Sequence, residues 1–479
     1  MWLGCGCGEY LQDGLLLSNH AHRSPFDAGR DCAWGHGSAL QPRFGSFSRY
    51  NQGLRRILIT LLFATGMAGA AVSPEFAERR EKLRKSIPDG VLVMFGAKES
   101  EDLHEGFYQE PNFNYLTGWE EPGAILVMTP ELDKADPGVS LRATLPREIL
   151  FVPQRVLSKE KWTGRKLGPA DPSAAQATGF ANVMPAESFE TELRRLLEAY
   201  PDVYALPSAN ATIARIAPLR TVLDATEHVN KLRMRKSAAE IAILQRATDV
   251  SMEAHRAAWR LMKPGVFEYE IAAVMVGSYM MDGCRRSAYA PIVGSGPNST
   301  VLHYSRNSRR MDSGEVTVMD VAGECANYAS DITRTVPVSG KFTPRQREIY
   351  DIVLGAQNAA IAATKPGMTI AKTTPNSLYQ IALDYINRHG RDLHGEPLGK
   401  YFNHGLSHHL GLDVHDASDN REPLEAGMVI TIEPGIYIPE ENIGIRIEDV
   451  ILVTEKGAKG LSEALPRGAD EIERALARK

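Results

Sequence analysis

From residue 74 onward, short apolar runs alternate with longer stretches of helical spacing. Residues 76–86 read as a charged amphipathic helix. Residues 90–95, 123–128 and 148–152 are compact apolar runs, the pattern of buried strands. Residues 186–200 return to helical spacing. Strands alternating with helices predict an α/β sheet for residues 74–228. Residues 227–240 are charged, rich in helix formers, and mark a boundary. Beyond them a long helix is predicted over 237–262, stopping at Lys263-Pro264-Gly265. A second follows over 267–281, and a third over 349–364, stopping at Lys365-Pro366-Gly367. A last helix is predicted over 469–479. Between them lie strand-like segments at 315–322, 327–336, 428–437 and 444–453, so residues 229–479 read as α+β. The repeated helix-Lys-Pro-Gly points to an internal duplication.

Residues 1–73 are read as a leader. Arg55-Arg56 precede the apolar run Ile57-Leu58-Ile59-Thr60-Leu61-Leu62-Phe63-Ala64, and small residues follow to Ala71. This is the layout of a Sec-type signal peptide over 54–71, with cleavage after Ala70 or Ala71. The run is too short for a stable membrane span. A signal starting this far inside the chain points to a translation start downstream of Met1. If the signal is used the protein is secreted or periplasmic; otherwise it is cytoplasmic.

Composition narrows the class. At 479 residues the chain exceeds one ordinary core, in keeping with two domains after the leader. It is 43% apolar and 24% charged with a formal net charge of −5. That mildly acidic balance, with no basic block, argues against nucleic acid as a partner. None of the five cysteines forms a CxxC pair. Cys5 and Cys7 fall in the leader with Cys32, and spacing alone leaves undecided whether Cys284 and Cys325 pair.

The chemistry is carried by residues that would be costly inside apolar segments unless something neutralised them. Asp320 and Asp331 sit in two alternating segments, and Gly323-Glu324-Cys325-Ala326 is predicted to turn between them. As a hairpin these segments would set both aspartates on one face, close enough to share a cation. Glu433 and Glu448 each stand in an otherwise apolar strand, and Arg446 shares the parity of Glu448, so it is placed to orient or pair with it. His404, His408, His409 and His415 crowd one short segment, where Gly405 and Gly411 argue against a zinc-binding helix. Four carboxylates and one imidazole, His408, can close a two-metal site, with two divalent cations cancelling four negative charges. A hydrolase follows: lowering the pKa of bound water from ~15.7 to ~7 is worth about 12 kcal/mol in proton affinity. A general base alone supplies roughly 3–5 kcal/mol. No dinucleotide fingerprint, P-loop or serine-hydrolase elbow competes.

Over residues 75–479 the chain resembles the pita-bread metallopeptidases, and within them the Xaa-Pro aminopeptidase (aminopeptidase P) and prolidase branch. The resemblance rests on "LHY", "MDVAGECANYASDITRT", "HGLSHHLGLDVHD", "TIEPGIY" and "GIRIEDVILVT" in family order, and on "NFNYLTGWEEPGAILVM" in the N-terminal part. It implies a creatinase-like domain over 74–228 and a pita-bread catalytic domain over 229–479. It implies that Asp320 binds one metal, that His408 and Glu433 bind the other, and that Asp331 and Glu448 bridge. A metal-bridging hydroxide would be the nucleophile, and Glu433 would pass its proton to the leaving proline nitrogen. His303 would lie by the scissile peptide, His415 would steady the tetrahedral intermediate, and His404 would line the pocket. Arg446 and Tyr437 would support these groups, and His409 would bind no metal. The implied cofactor is a pair of divalent ions, Mn²⁺ first, with Co²⁺ or Zn²⁺ as options. The implied substrate is a peptide with proline second, handled by a homo-oligomer, dimer or tetramer, in which the N-terminal domain helps close a neighbour's cleft. Two alternatives stand beside this reading: a dipeptide-specific prolidase, and a non-catalytic pita-bread binding protein.

Overall fold

Strand β1 (Val91–Phe95) shows why the N-terminal part folds as a layered sheet. Its side chains are apolar at every position, so both faces need cover. Val91 and Val93 pack into one cluster, while Leu92 and Met94 pack into another on the opposite face. The computed structural model describes residues 73–477 apart from 101–103, 105 and 132–138. The expected signal peptide, with Cys5, Cys7 and Cys32, lies outside the described residues.

The N-terminal sheet also contains β2 (Ile125–Met128), β3 (Glu148–Val152), β4 (Val183–Pro185), β5 (Val203–Ala205) and β6 (Val222–Asp224). The strand order is β4-β3-β2-β1-β5-β6. Pairing is antiparallel across β1-β2-β3 and parallel for β3-β4, β1-β5 and β5-β6. Helices α1 (Pro74–Ser86) and α2 (Pro111–Thr117) cover the face that joins the main core. Helices α3 (Phe189–Leu196) and α4 (Asn210–Ile216) cover the other through Phe189, Leu193, Ile213 and Ile216. The helical spacing read over 186–200 holds as α-helix only in its middle.

Helix α5 (Thr226–Met234) leads into α6 (Ala238–Leu261), whose N-terminus is closed by a capping box between Ser237 and Glu240. Helix α7 (Glu268–Met281) follows the first Lys-Pro-Gly, and α8 (Pro344–Ala363) and α9 (Leu378–His389) flank the second. The two turns are built alike. Gly265 N–H donates to the Met311 carbonyl and Met311 N–H to Val266; Gly367 N–H donates to Leu424 and Leu424 N–H to Met368. Both glycines have φ near +90°, a region that favours glycine. The repeat read from the sequence is therefore a repeat of backbone geometry.

Each half supplies a small antiparallel sheet. Strands β7 (Arg286–Ser287), β8 (Ile292–Ser295), β9 (Val316–Asp320), β10 (Gly323–Cys325), β11 (Tyr328–Ala329) and β12 (Thr333–Pro337) come first. Strands β13 (Val429–Ile432), β14 (Gly435–Ile438), β15 (Ile443–Arg446), β16 (Asp449–Thr454) and β17 (Gly457–Gly460) come second, before α10 (Ala469–Ala477). The main sheets run β12-β9-β8 and β13-β16-β17.

Several expectations are corrected here. Gly323-Glu324-Cys325 pair as strand β10 rather than turning; the reversal is at Ala326-Asn327, both at positive φ, as a two-residue hairpin requires. Asp331 stands between β11 and β12, off the ladder. The runs at 428–437 and 444–453 each break in two beside their acid, at Glu433-Pro434 and at Ile447-Glu448. Proline cannot donate to a ladder, so the chain leaves one sheet there and enters the next. Helix α8 starts at Pro344, earlier than read, because Thr343 and Gln346 form a capping box ahead of its apolar face. Helix α9 has no counterpart among the sequence expectations. Cys284, beyond α7, and Cys325 of β10 form a disulfide.

Candidate metal centre

The acids gather where strands end. Asp320 is the last residue of β9, paired with Ile292 and Thr333, while Glu433 follows β13 and Glu448 precedes β16, and all three carboxylates line a cavity rather than a packed layer. All nine metal-binding and catalytic candidates from the sequence line that one cavity, of about 650 Å³. Asp320, Asp331, Glu448 and Arg446 are buried, Glu433 and His408 are half-buried, and His303 and His415 stand exposed on its wall.

His408 shows what the centre is built to hold. Its Nδ1 bonds the His409 carbonyl at 3.0 Å, which leaves Nε2 as the free lone pair. That Nε2 faces Asp331 Oδ2 at 3.3 Å, Glu433 Oε1 at 3.5 Å and Glu448 Oε1 at 4.0 Å. A lone pair directed at three carboxylates is repulsive unless a cation or a proton lies between them. Burial works against a charged imidazole, yet Asp331 and Glu433 hold the His408 pKa up at about 9. Asp331, His408 and Glu448 each present a ligand atom, all within 4.8 Å of one another.

The acids bear the same strain. Burial, then Asp331, Glu433 and Asp320, push the Glu448 carboxyl well above its ordinary range. Burial pushes Glu433 up to about 7 against the pull of His408. Burial also raises Asp320, with Arg446 opposing and Asp331 adding. Four carboxylates facing one guanidinium and one imidazole leave a negative excess in a low-dielectric pocket, so the donor set fits divalent cations.

Supporting contacts hold each of the four acids. The Tyr289 hydroxyl lies 2.5 Å from Asp320 Oδ1 and 2.6 Å from Asp331 Oδ1. Thr333 Oγ1 donates to Glu448 Oε2 at 2.7 Å, and Thr431 Oγ1 lies 3.4 Å from Glu433 Oε1. Gln357 of α8 reaches the carbonyls of Ile432 and Ile447, each just ahead of an acid. His255 of α6 bonds the Ile332 carbonyl, just after Asp331. His255 and Gln357 stand equally far before their Lys-Pro-Gly turns, so the duplicated helices brace the ligand segments in parallel ways.

The expected pairing of Arg446 with Glu448 is corrected. Arg446 Nη2 bonds Asp320 Oδ2 at 2.6 Å and Nη1 bonds the Tyr437 hydroxyl at 2.8 Å; it meets Glu448 only through Thr333, 3.2 Å from its Nε. Strand β15 ends at Arg446, so equal parity with Glu448 loses its meaning one residue later. Tyr437 in turn lies 2.9 Å from His404 Nε2, while His404 Nδ1 bonds the Gly405 carbonyl. Burial holds His404 neutral, with a pKa lowered to about 3. His409 is buried beside Asp416, away from the cavity lining, and lies outside the gathered ligand atoms. Tyr289, Thr333 and Gln357 were missed by sequence reasoning; no motif or period marks them, because their partners lie far away in the chain.

Residues 242–455 match the model of metallopeptidase family M24, and residues 76–204 match the aminopeptidase P N-terminal domain. The chain is 34% identical over 439 residues to the Xaa-Pro aminopeptidase of Escherichia coli (strain K12), covering 83% of this chain and 96% of that protein. Proline aminopeptidase P II from Yersinia pestis superposes with a TM-score of 0.75 at 32% identity, covering 85% of this chain and all 100% of that one. Aminopeptidase P from E. coli with the inhibitor Pro-Leu also gives a TM-score of 0.75 at 32% identity, with 85% and 99% covered.

Proposed function

From its membership of the Xaa-Pro aminopeptidase branch of metallopeptidase family M24, to which this chain belongs, we propose a dinuclear-metal hydrolysis of the first peptide bond in peptides whose second residue is proline. The chain is a metallo-exopeptidase acting on peptides. The observation that carries the dinuclear reading is the convergence of four acids with the free His408 Nε2 in one cavity. We assign Mn²⁺ to it, because an oxygen-rich set with one imidazole suits hard or borderline ions; Co²⁺ and Zn²⁺ fit the same donors less selectively.

When bound, the two ions supply an activated water and a polarised scissile carbonyl. The remaining work falls to side chains. Glu433 lies with one oxygen near His408 and the other 3.8 Å from His404 Nδ1, placed to take a proton from the water and carry it to the leaving proline nitrogen. His303 and His415, on the cavity wall, donate to the oxygen that gains charge in the tetrahedral state. His404, kept neutral and held by Tyr437, presents a fixed ring face to the proline.

Two further parts of the reading have separate supports. The Cys284–Cys325 disulfide fits export through the predicted signal peptide, since disulfides persist in oxidising compartments. Leu157 and Trp162, five positions apart on the N-terminal part and 72% and 79% exposed, are apolar side chains that a second copy would cover in a homo-oligomer.

The test begins with protein stripped by a chelator, which is expected to be inactive and to recover on adding Mn²⁺. The recovered enzyme is expected to cut Xaa-Pro-Yaa tripeptides faster than Xaa-Pro dipeptides. Full activity without added metal would overturn the mechanism, and a dipeptide preference would assign the chain to the prolidases.

A further inference from the structure

We propose that Arg233 and Lys236, in the segment joining the two parts of the chain, are positioning residues for His415, acting through Asp416. The inference rests on the reading above that His415 meets the reacting peptide.

His415 sits in residues 409–416, between the isolated bridge His409↔Ile430 and Asp416. The stretch is itself neither strand nor helix: β13 holds its start, Leu410 N–H donating to the Val429 carbonyl, and β11 holds Gly411, whose carbonyl accepts from Ala329 N–H, while residues 412–416 lie beyond both bonds. Its internal bonds are sparse: Asp416 N–H reaches back to the His409 carbonyl, and Gly411 N–H to that of Asp413. One end is tied to the centre through His408, whose ring lies 4.4 Å from that of His415. The other end is tied by the Asp416 carboxylate, next in sequence to His415 and buried.

That carboxylate is gripped from one direction only. Arg233 Nη2 meets Oδ1, and Lys236 Nζ meets Oδ2 at 2.8 Å. Both cations are buried, Arg233 at the end of α5 and Lys236 just before the Ser237 cap of α6. Arg233 also spans to Asp413 Oδ2 and to Asn112 Oδ1 of α2, each at 2.7 Å. One guanidinium therefore touches the N-terminal part and two acids flanking His415. Gly411 leaves the room: a Cβ there would overlap Asp416 Oδ2. Two acids against two cations leave the cluster without net charge, with Arg233, Lys236 and Asp416 buried and Asp413 at its half-exposed edge, and the forked, charge-assisted contacts fix its geometry. The placement of the N-terminal part is thereby transmitted to a residue on the catalytic cavity wall.

The experiment uses the full, Mn²⁺-loaded chain and measures kcat, KM, metal content and thermal midpoint. Arg233→Met is expected to lower kcat by about 10–100-fold, the scale of a small misplacement at a reacting centre, with KM and metal content little changed. Arg233→Lys, which keeps the charge but not the fork, is expected to recover part of the loss. In a His415→Ala background Arg233→Met is expected to cost no further kcat, because the residue it positions is gone. An equal kcat loss in both backgrounds, or a lower thermal midpoint with kcat intact, overturns the proposal and leaves the cluster as a fold clamp. If Arg233→Met does not fold, Lys236→Gln, which leaves Arg233 on Asp416, is read by the same double-variant comparison. Failure of the unaltered protein to cut Xaa-Pro-Yaa peptides would instead overturn the reading of the site.

Discussion

A single phenolic hydroxyl joins the two aspartates of the centre. One proton on Tyr289 cannot serve Asp320 and Asp331 at once, so the group gathers both carboxylates to a common point. Replacing it should loosen the site without removing a ligand. Tyr289→Phe is expected to weaken metal affinity or activity by about 10–100-fold, the usual scale for a group that orients ligands. Asp331→Asn removes a proposed bridging oxygen and is expected to abolish turnover and lower metal content. Metal titration of the two variants separates them, and normal turnover in Asp331→Asn would remove the bridging role. The acids that gather in the cavity were legible in the sequence because an acid in an apolar strand demands a partner. Tyr289 was not, because a tyrosine among apolar neighbours makes no such demand.

Elements carry the precision of these contacts. Strand β15 delivers Arg446, and it lies so close to the turn at Gly296–Thr300 that a Cβ on Gly444 would overlap the Ser299 carbonyl. Gly444 N–H donates to Ser299 Oγ at the same contact. The obstacle is backbone, which cannot swing aside. Gly444→Ala is therefore expected to cost about 1–3 kcal/mol or more in stability, read as a lower urea midpoint. It should also reduce activity by displacing Arg446 from Asp320. An unchanged midpoint would show that the turn yields. At this scale the sequence reading held where periodicity was long, as in α6, and where a Lys-Pro-Gly stop ended a helix. It failed where polar first turns hid the start of α8, and where a strand changed sheets at Pro434.

For the whole molecule, the cations are part of the fold's stability. In the metal-free protein the pKa of Glu433 is raised to about 7, by burial first, and that of His408 is raised to about 9 by its acidic neighbours. A group whose folded pKa is raised binds its proton more tightly in the native state. Its stabilisation is full below the unfolded pKa and is lost as pH rises through the folded value. The depressed histidines His255, His404 and His409, near 3 by burial, act oppositely, but only between about 3 and 6.5. Glu433 loses its contribution between about pH 4.5 and 7 and His408 between about 6.5 and 9, so from about pH 6.5 to 9 chelated protein is expected to lose up to about 1.4 kcal/mol per pH unit, chiefly through His408. Added Mn²⁺ should raise the thermal midpoint most at the alkaline end, because it binds the ionised native form. A metal-free midpoint that climbs with pH across this window would contradict the account.

Sequence alone established which residues have to be neutralised, where the long helices and most of the strands lie, and that two of the helices share a Lys-Pro-Gly stop. Each of these follows from neighbours a few positions away. It took the folded chain to show that Arg446 serves Asp320 rather than Glu448, that Tyr289 draws two aspartates together, and that the joining segment grips the carboxylate next to His415. The reason is physical: hydrogen bonds act over about 3 Å, and Arg446 meets Asp320, 126 positions away in the chain, only after the strands between them have been packed.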